Sequence, residues 1–266
     1  MRSIVCSAPI VLLVLAARTA LAQGLVLYDN FSAPLIDPAK WTSWQGGSHV
    51  TEAIRLIEGG QLRLDMRGYG ETTFDIGSSY PGFSLGFPNP NAITAIQVSA
   101  TVTQATATSC SSNPTAFSGA QLVIGGFFFN TGTPTPGSLL NDVFADAFFV
   151  HNANDSPNVV HAQYVMFQCL DDFCGNSAQL GFGDLGTAVT GQPVTLSIQW
   201  DQPNHQFVFQ RDGDPPAVAS YSVSDTSTPG SPSKGLQLGH GVPNCTTTPR
   251  PSAFMSVLVG SVFVNQ

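Results

Sequence analysis

Charged residues are the scarcest class in this 266-residue chain, since lysine, arginine, aspartate and glutamate together make up 10% of it. An average soluble protein has about 25%. The chain has only two lysines, Lys40 and Lys234, and its net charge is −8. Because surfaces that bind phosphates need clustered lysine and arginine, the composition predicts that nucleic acid is not a partner.

Helical periodicity is also missing beyond the first residues of the chain. No later segment repeats its apolar residues with a helical period over about ten positions, and none is apolar for long enough to cross a bilayer. One all-β domain can occupy a chain of this length. We therefore expect a strand-rich protein without a membrane span.

The N-terminus has the composition of a processing signal. Arg2 precedes an apolar run at residues 10–17, and Ala20-Leu21-Ala22 fits a small-x-small cleavage site. We predict a signal peptide over residues 1–22 and one domain over residues 23–266, secreted or delivered to the periplasm. Removal of Arg2 and Arg18 leaves 7 basic and 17 acidic residues, so the mature charge is 7 − 17 = −10.

Cysteine is rare, but export makes the four mature cysteines candidates for disulfides. We favour Cys169–Cys174, across a short loop, and Cys110–Cys245, between two distant loops. Free buried thiols are the alternative. A zinc site is disfavoured because the C-x4-C spacing stands alone, without a matching pair of histidines.

What the chain does have is alternation of apolar and polar residues, most clearly over residues 193–213. Val194, Leu196 and Ile198 alternate with polar residues, a turn-like break follows at residues 201–205, and Phe207 then begins a second alternating run. Because a strand turns successive side chains to opposite faces, this stretch predicts an antiparallel hairpin that covers an apolar core.

Similar short runs follow one another along the mature chain, separated by glycine- and proline-rich turns. Residues 78–91 and 181–191 lack the pattern and are predicted to be irregular. The arrangement is typical of an all-β, two-sheet antiparallel β-sandwich of the jelly-roll type. The remaining predicted strands are 25–31, 53–57, 61–67, 93–102, 121–129, 142–150, 159–168, 217–223, 235–238 and 254–264.

Three stretches together resemble the concanavalin A-like lectin/glucanase superfamily, including its laminin G-like modules: residues 28–67, the hairpin at 194–213, and residues 234–266. The resemblance implies a jelly roll whose last strand returns beside the first, with carbohydrate as the most frequent ligand class. Since this superfamily includes lectins, glycosidases, lyases and adhesion modules, the fold alone does not name an activity.

The acid pair of the family's glucanases has no counterpart in this sequence. Those enzymes carry their acids in an E-x-D-x-x-E-like motif on one strand, and none of the three glutamates here lies in such a motif. The nearest candidates are Asp142 and Asp146, whose Cα atoms we expect about 13 Å apart on one strand. Hydrolysis needs carboxyl groups about 5–5.5 Å or about 6.5–9.5 Å apart, so the sequence favours a protein that is not an enzyme.

A second catalytic motif is matched by the residue types of one segment but not by its predicted structure. Residues 82–86 read G-F-S-L-G and match the G-x-S-x-G nucleophile pattern. That motif works on a turn from a strand into a helix, and proline precedes and follows this segment where a helix would be needed. We interpret the match as coincidence.

Sugar binding needs exposed aromatic rings and a few fixed polar groups. Tyr80, Phe83 and Phe87 in a glycine- and proline-rich segment are the candidate ligand-binding residues, with Trp41 and Trp44 behind them. The alternative is that these rings cover one end of the core.

We expect no cofactor other than calcium, for which oxygen-rich turns are the natural site. Asn152, Asn154 and Asp155 form one candidate set, and Asp171 and Asp172 another. The alternative is that these residues serve turn geometry.

Taken together, the sequence favours an exported, monomeric, non-catalytic β-sandwich that binds glycan or another extracellular surface. Two alternatives stay open: a glycosidase or polysaccharide lyase with displaced catalytic residues, and a structural envelope or matrix protein.

Overall fold

The computed structural model describes residues 24–46 and 51–265, so the predicted signal peptide lies outside the described residues. These ranges contain two short 3-10 turns, Pro90–Ala92 and Gln202–Asn204, and sixteen strands. The strands are β1 (Val26–Asp29), β2 (Thr42–Gly46), β3 (Thr51–Glu58), β4 (Gln61–Tyr69), β5 (Ser78–Ser79), β6 (Gly82–Gly86), β7 (Ala95–Ala107), β8 (Gly119–Asn130), β9 (Asp142–Asn152), β10 (Val159–Cys169), β11 (Ser177–Val189), β12 (Pro193–Asp201), β13 (Gln206–Arg211), β14 (Ala217–Ser220), β15 (Lys234–Pro243) and β16 (Ser252–Val264).

The strands form two antiparallel sheets of eight, which confirms the predicted all-β sandwich. Sheet I has the order β14-β13-β12-β7-β16-β4-β3, and sheet II has the order β11-β10-β9-β8-β15-β6-β2. β1 pairs with β16 in sheet I, so the last strand returns beside the first as the family resemblance implies. No helix within residues 24–46 and 51–265 has the length and apolar composition needed to cross a membrane.

The hairpin predicted at residues 193–213 is β12 and β13, joined by the turn at residues 202–204. Ile198 lies opposite Phe209 in the antiparallel register, and Trp200 lies opposite Phe207. Both phenylalanines are fully buried, and Trp200 stacks on Phe129 of sheet II with ring centroids 5.3 Å apart. The alternating pattern therefore forms one wall of the core.

Two segments predicted to be irregular are strands, and this part of the prediction is wrong. Residues 82–86 form β6, which pairs with β2 and β15 inside sheet II, so the G-x-S-x-G match contains no nucleophile turn. Residues 181–189 belong to β11 at the edge of sheet II. Glycine hides the alternation there: Gly183 lies against the ring of Tyr164, and Gly186 has φ +94°.

Both predicted disulfides are present. Cys110–Cys245 joins positions 135 residues apart, with Cα atoms 5.9 Å from each other. Cys169–Cys174 closes the short loop between β10 and β11, with a Cα–Cα distance of 4.7 Å. The first bridge ties the end of β15 to the loop that follows β7, and the second fixes the turn at one edge of sheet II.

Buried polar side chains connect the layers of the sandwich. His240 of β15 donates from Nε2 to the carbonyl oxygen of Met66 in β4, at 2.8 Å, and so joins the two sheets. Lys234 is 2% exposed; its Nζ donates to the carbonyl oxygen of Pro90 at 2.8 Å and lies 4.5 Å from the centre of the Phe128 ring. Burial lowers the pKa of Lys234 to about 7.

Replacement of this lysine by methionine, Lys234→Met, is expected to weaken the pH dependence of stability. An unfolded lysine titrates near about 10.4, whereas the folded pKa is about 7. Between these values the unfolded chain binds more protons, so the free energy of unfolding rises with pH in the wild type. From about pH 7 to about pH 9, the free energy of unfolding measured in urea should rise by on the order of 2 kcal/mol more in the wild type than in the variant. Equal gains in the two proteins would contradict the lowered pKa.

Candidate binding groove

A groove of about 310 Å³ lies on the face of sheet II that points away from the core. It crosses the middle strands of the sheet and reaches the loop closed by Cys169–Cys174. Its lining residues are Ser84, Gly86, Val123, Gly125, Gly126, Phe127, Phe144, Asp146, Cys174, Ser233, Lys234, Gly235, Leu236 and Gln237. We call this set the groove.

Glycine forms the floor of the groove. The strand register places Gly86, Gly235 and Gly125 side by side on β6, β15 and β8, and puts Asp146 of β9 next in the same row. A Cβ at Gly235 would lie 2.1 Å from the carbonyl oxygen of Leu85. Because the neighbouring backbones leave no room for side chains, the floor beside Asp146 stays flat and open to a ligand.

Asp146 is the carboxyl group of the groove. Its side chain is half-buried among the lining residues. Burial raises the pKa of Asp146 to about 7, against the opposing effect of a hydrogen bond from the backbone N–H of Gly126. A carboxyl group in this setting changes its charge near neutral pH, so it can donate a proton to a ligand oxygen or accept one from a ligand hydroxyl.

Asp142, the other catalytic candidate, has a different surrounding. Its carboxylate is fully buried and accepts hydrogen bonds from Asn130 Nδ2 at 2.7 Å, from Gly230 N at 2.8 Å and from Ser231 N at 3.1 Å. These bonds hold the loop over residues 224–233 against the sheet. Within the described residues, the groove lining therefore contains Asp146 as its sole carboxyl group.

The five aromatic candidates fall into two groups. Trp44 is 53% exposed on β2, at the side of sheet II, and Tyr80 is 63% exposed. Phe83 and Phe87 are buried, so the expectation of exposed rings is wrong for these two. Trp41, expected behind them, is buried as well. Trp41 and Phe87 pack together at one end of the core, with ring centroids 5.2 Å apart.

A second depression continues the groove along the strands. It has a volume of about 350 Å³ and shares Gln237 with the groove. The exposed Tyr80 lines it, together with Phe117 and Gln121. Because Gln121 and Val123 lie two residues apart on β8, the two depressions succeed each other on the same face of sheet II.

Several groove residues were not predicted from the sequence. Phe127 and Phe144 face each other across β8 and β9, with ring centroids 5.7 Å apart, and both line the groove. Gln237 and the glycine row complete it. The alternation in each strand shows which side chains share a face, but only the strand register brings these particular strands together.

Two of the proposed calcium ligands, Asn152 and Asp155, form hydrogen bonds with each other within the turn. Asp155 accepts hydrogen bonds from Asn152 N at 2.7 Å and from Asn152 Nδ2 at 3.1 Å. Its second oxygen lies 3.2 Å from His161 Nε2, and Asn154 is exposed. These contacts fit the turn-forming role of Asx residues, and calcium binding at Asn152, Asn154 and Asp155 stays a prediction.

Neutralising the groove acid is expected to change how stability depends on pH. The pKa of Asp146 is raised to about 7, above about 3.9 for an unfolded aspartate, so the folded chain binds more protons between these values. The free energy of unfolding should therefore fall as pH rises from about 4 to about 7. In Asp146→Asn this contribution is lost, and urea unfolding across that range should show a smaller fall.

The matched control is Asp184→Asn, which removes an exposed carboxylate from β11 in the same sheet. This variant is expected to keep the fall of the wild type. Parallel stability curves for wild type and Asp146→Asn would contradict the raised pKa.

No protein-family model matches the chain, and no curated protein matches it. Among solved structures, LamAcat from Zobellia galactanivorans is 13% identical, with 90% of this chain and 96% of that chain covered and a TM-score of 0.42. The VIP36 exoplasmic/lumenal domain in its Ca²⁺/Man-bound form is 9% identical, with 90% of each chain covered and a TM-score of 0.32. An alginate lyase from Klebsiella pneumoniae is 11% identical, with 82% and 80% covered and a TM-score of 0.35. All three are distant likenesses, with an identity of 13% or less and a TM-score below 0.5.

Proposed function

We propose that this protein is an exported, non-catalytic module that binds neutral glycans in the groove of sheet II. The proposal is carried by one observation: a glycine-floored groove that joins flat aromatic surfaces to a few polar groups. The two predicted disulfides support export, because disulfides persist in oxidising compartments.

The chemistry of the lining suits a sugar. A sugar ring offers an apolar face that packs on aromatic rings and hydroxyl groups that bond to fixed donors and acceptors. Phe127 and Phe144 supply aromatic surface inside the groove, while Ser84, Gln237 and Asp146 supply polar groups. The depression beside Tyr80 extends this mixture along the strands, which favours a linear oligosaccharide over a single sugar.

The charge of the groove favours a neutral ligand. Lys234 is the one basic residue in the lining, and its amine points into the core, where it bonds to Pro90. An acidic polysaccharide would meet no available cation in this lining. The net charge, −8 for the full chain and −10 (7 − 17) without the predicted signal peptide, would repel it. This argues against the carboxylate-bearing substrates of a lyase.

The enzyme alternative rests on Asp146. A carboxyl group with a raised pKa in a cleft is a recognised candidate for general acid catalysis. Glycoside hydrolysis also needs a second carboxyl group, at a distance of about 5–9.5 Å. Asp142 is committed to the loop over residues 224–233, and the described lining offers no other acid. A binding role therefore accounts for the groove better than hydrolysis.

Blocking the groove is expected to abolish binding. Ser84→Trp places a large ring on the groove floor, and Gln237→Ala removes a polar group shared by both depressions. On an array of neutral and acidic oligosaccharides, the wild type should retain neutral linear glycans. Ser84→Trp should reduce the affinity for these glycans at least about tenfold, because the ring blocks the groove. Gln237→Ala should reduce it about threefold to tenfold, as expected for loss of one to two hydrogen bonds.

The matched control is Gln104→Trp, which adds the same ring at an exposed position on β7 of sheet I. It should bind as the wild type does. The array is read with calcium and with a chelator, so that loss of signal in the chelator would support the calcium prediction. Equal binding by Ser84→Trp and wild type would rule out this groove as the site.

The catalytic alternative is tested with the same glycans by measuring the release of new reducing ends. We expect no release above the rate of Asp146→Asn. Cleavage by the wild type that disappears in Asp146→Asn would replace the binding proposal with an enzyme.

A further inference from the structure

The loop closed by Cys169–Cys174 exposes an aromatic ring to solvent. Phe173 is 89% exposed and is the most exposed of the large apolar residues in the described ranges. Leu170 at the other side of the loop is also exposed. Single exposed apolar residues are ordinary, so the exposure gains meaning only from how the loop is held and where it lies.

The loop is held firmly without burying Phe173. The carboxylate of Asp171 accepts hydrogen bonds from the backbone N–H groups of Phe173 at 3.1 Å, Gly175 at 2.8 Å and Asn176 at 2.7 Å. These bonds lower the pKa of Asp171, and the bond from Gly175 has the largest effect. The disulfide closes the loop. Polar and covalent contacts therefore hold the loop backbone at Phe173, and this does not depend on packing of the Phe173 ring.

A further pair of contacts ties the loop to the sheet beside the groove. Asp172 accepts a hydrogen bond from Leu139 N through its carbonyl oxygen at 3.0 Å and another from Ser138 Oγ through its carboxylate at 2.5 Å. These two bonds fix the position of the loop relative to the start of β9, the strand that carries Asp146.

The loop lies at one end of the groove. Cys174, the neighbour of Phe173, lines the groove. Along β8, the face of sheet II runs from Gln121 through Val123 and Gly125 to Phe127, a span of about 20 Å at about 3.3 Å per residue. The Tyr80 depression lies at the Gln121 end. Phe127 of β8 lies opposite Phe144 of β9, and Phe144 lies opposite Phe167 of β10. Phe167 is near the end of β10, where the loop begins.

We propose that Phe173 is a stacking platform that extends the groove, so that a linear glycan too long for the groove rests its outer unit on this ring. The inference rests on the proposed function and adds a chain-length preference to it. A loop backbone that is already held in place loses little conformational entropy when a ligand stacks on the ring it carries. The disulfide and Asp171 supply that preorganisation.

The test is a ladder of neutral linear glucan and mannan oligosaccharides, from dimer to octamer, measured by titration calorimetry. Phe173→Ala should weaken binding of the longest oligomers about threefold to tenfold, as expected for loss of one aromatic stack, and leave the shortest binding oligomer unchanged. Phe173→Tyr should bind every oligomer as the wild type does. Leu35→Ala, which removes another highly exposed apolar side chain, should also have no effect.

A double variant, Cys169→Ser with Cys174→Ser, should lose the same preference for long oligomers, because the loop that carries Phe173 is then less firmly held. Circular dichroism checks that each variant is folded. If Phe173→Ala binds the octamer as tightly as wild type while Ser84→Trp fails to bind, the platform is wrong and the groove proposal stands. If no oligomer binds the wild type, or Ser84→Trp binds all of them normally, the groove proposal falls and the platform falls with it.

Discussion

The close approach of backbones at the centre of sheet II is the constraint on which the rest of the structure depends. A Cβ at Gly126 would lie 2.0 Å from the carbonyl oxygen of Ser233, and one at Gly125 would lie 2.2 Å from that of Ala145. Both positions therefore need glycine, and both have positive φ. The same contacts that close the sheet leave its outer face without side chains beside Asp146. Packing of the fold and access to the groove have a common cause.

Buried polar groups divide into those that hold the fold and those that face a ligand. Asp142 and Asp146 stand four residues apart on one strand, yet the first anchors the loop over residues 224–233 and the second lies at the groove floor. Lys234 is one of the groove-lining residues, but its amine donates a hydrogen bond to the carbonyl oxygen of Pro90 inside the core. Residue type alone does not separate these roles, because the difference lies in which partners the loops bring to each side chain.

The alternating strands were predictable from the sequence because a two-residue period has a direct physical cause. The hairpin of β12 and β13 follows that pattern, whereas the return of β16 beside β1 is what the family resemblance implies. β6 and β11 escaped prediction because glycine replaces apolar residues where backbones or rings approach closely. Asp146 of the groove and Tyr80 of the neighbouring depression could be named in advance, whereas the buried positions of Phe83 and Phe87 could not. Strand order and register decide which rings face solvent, and no local pattern encodes them.

The irregular pairing of β11 has a consequence for the behaviour of the protein at high concentration. This strand is thirteen residues long and lies at the edge of its sheet, where a straight strand would offer a template for fibril growth. Its pairing with β10 shifts register twice, between Ala162 and Gln163 and between Met166 and Phe167. Such bulges twist and bend an edge, which makes it a poorer template for strand addition along its full length. Gly181 and Gly186, which conceal β11 in the sequence, lie beside the two shifts that make this edge a poor template.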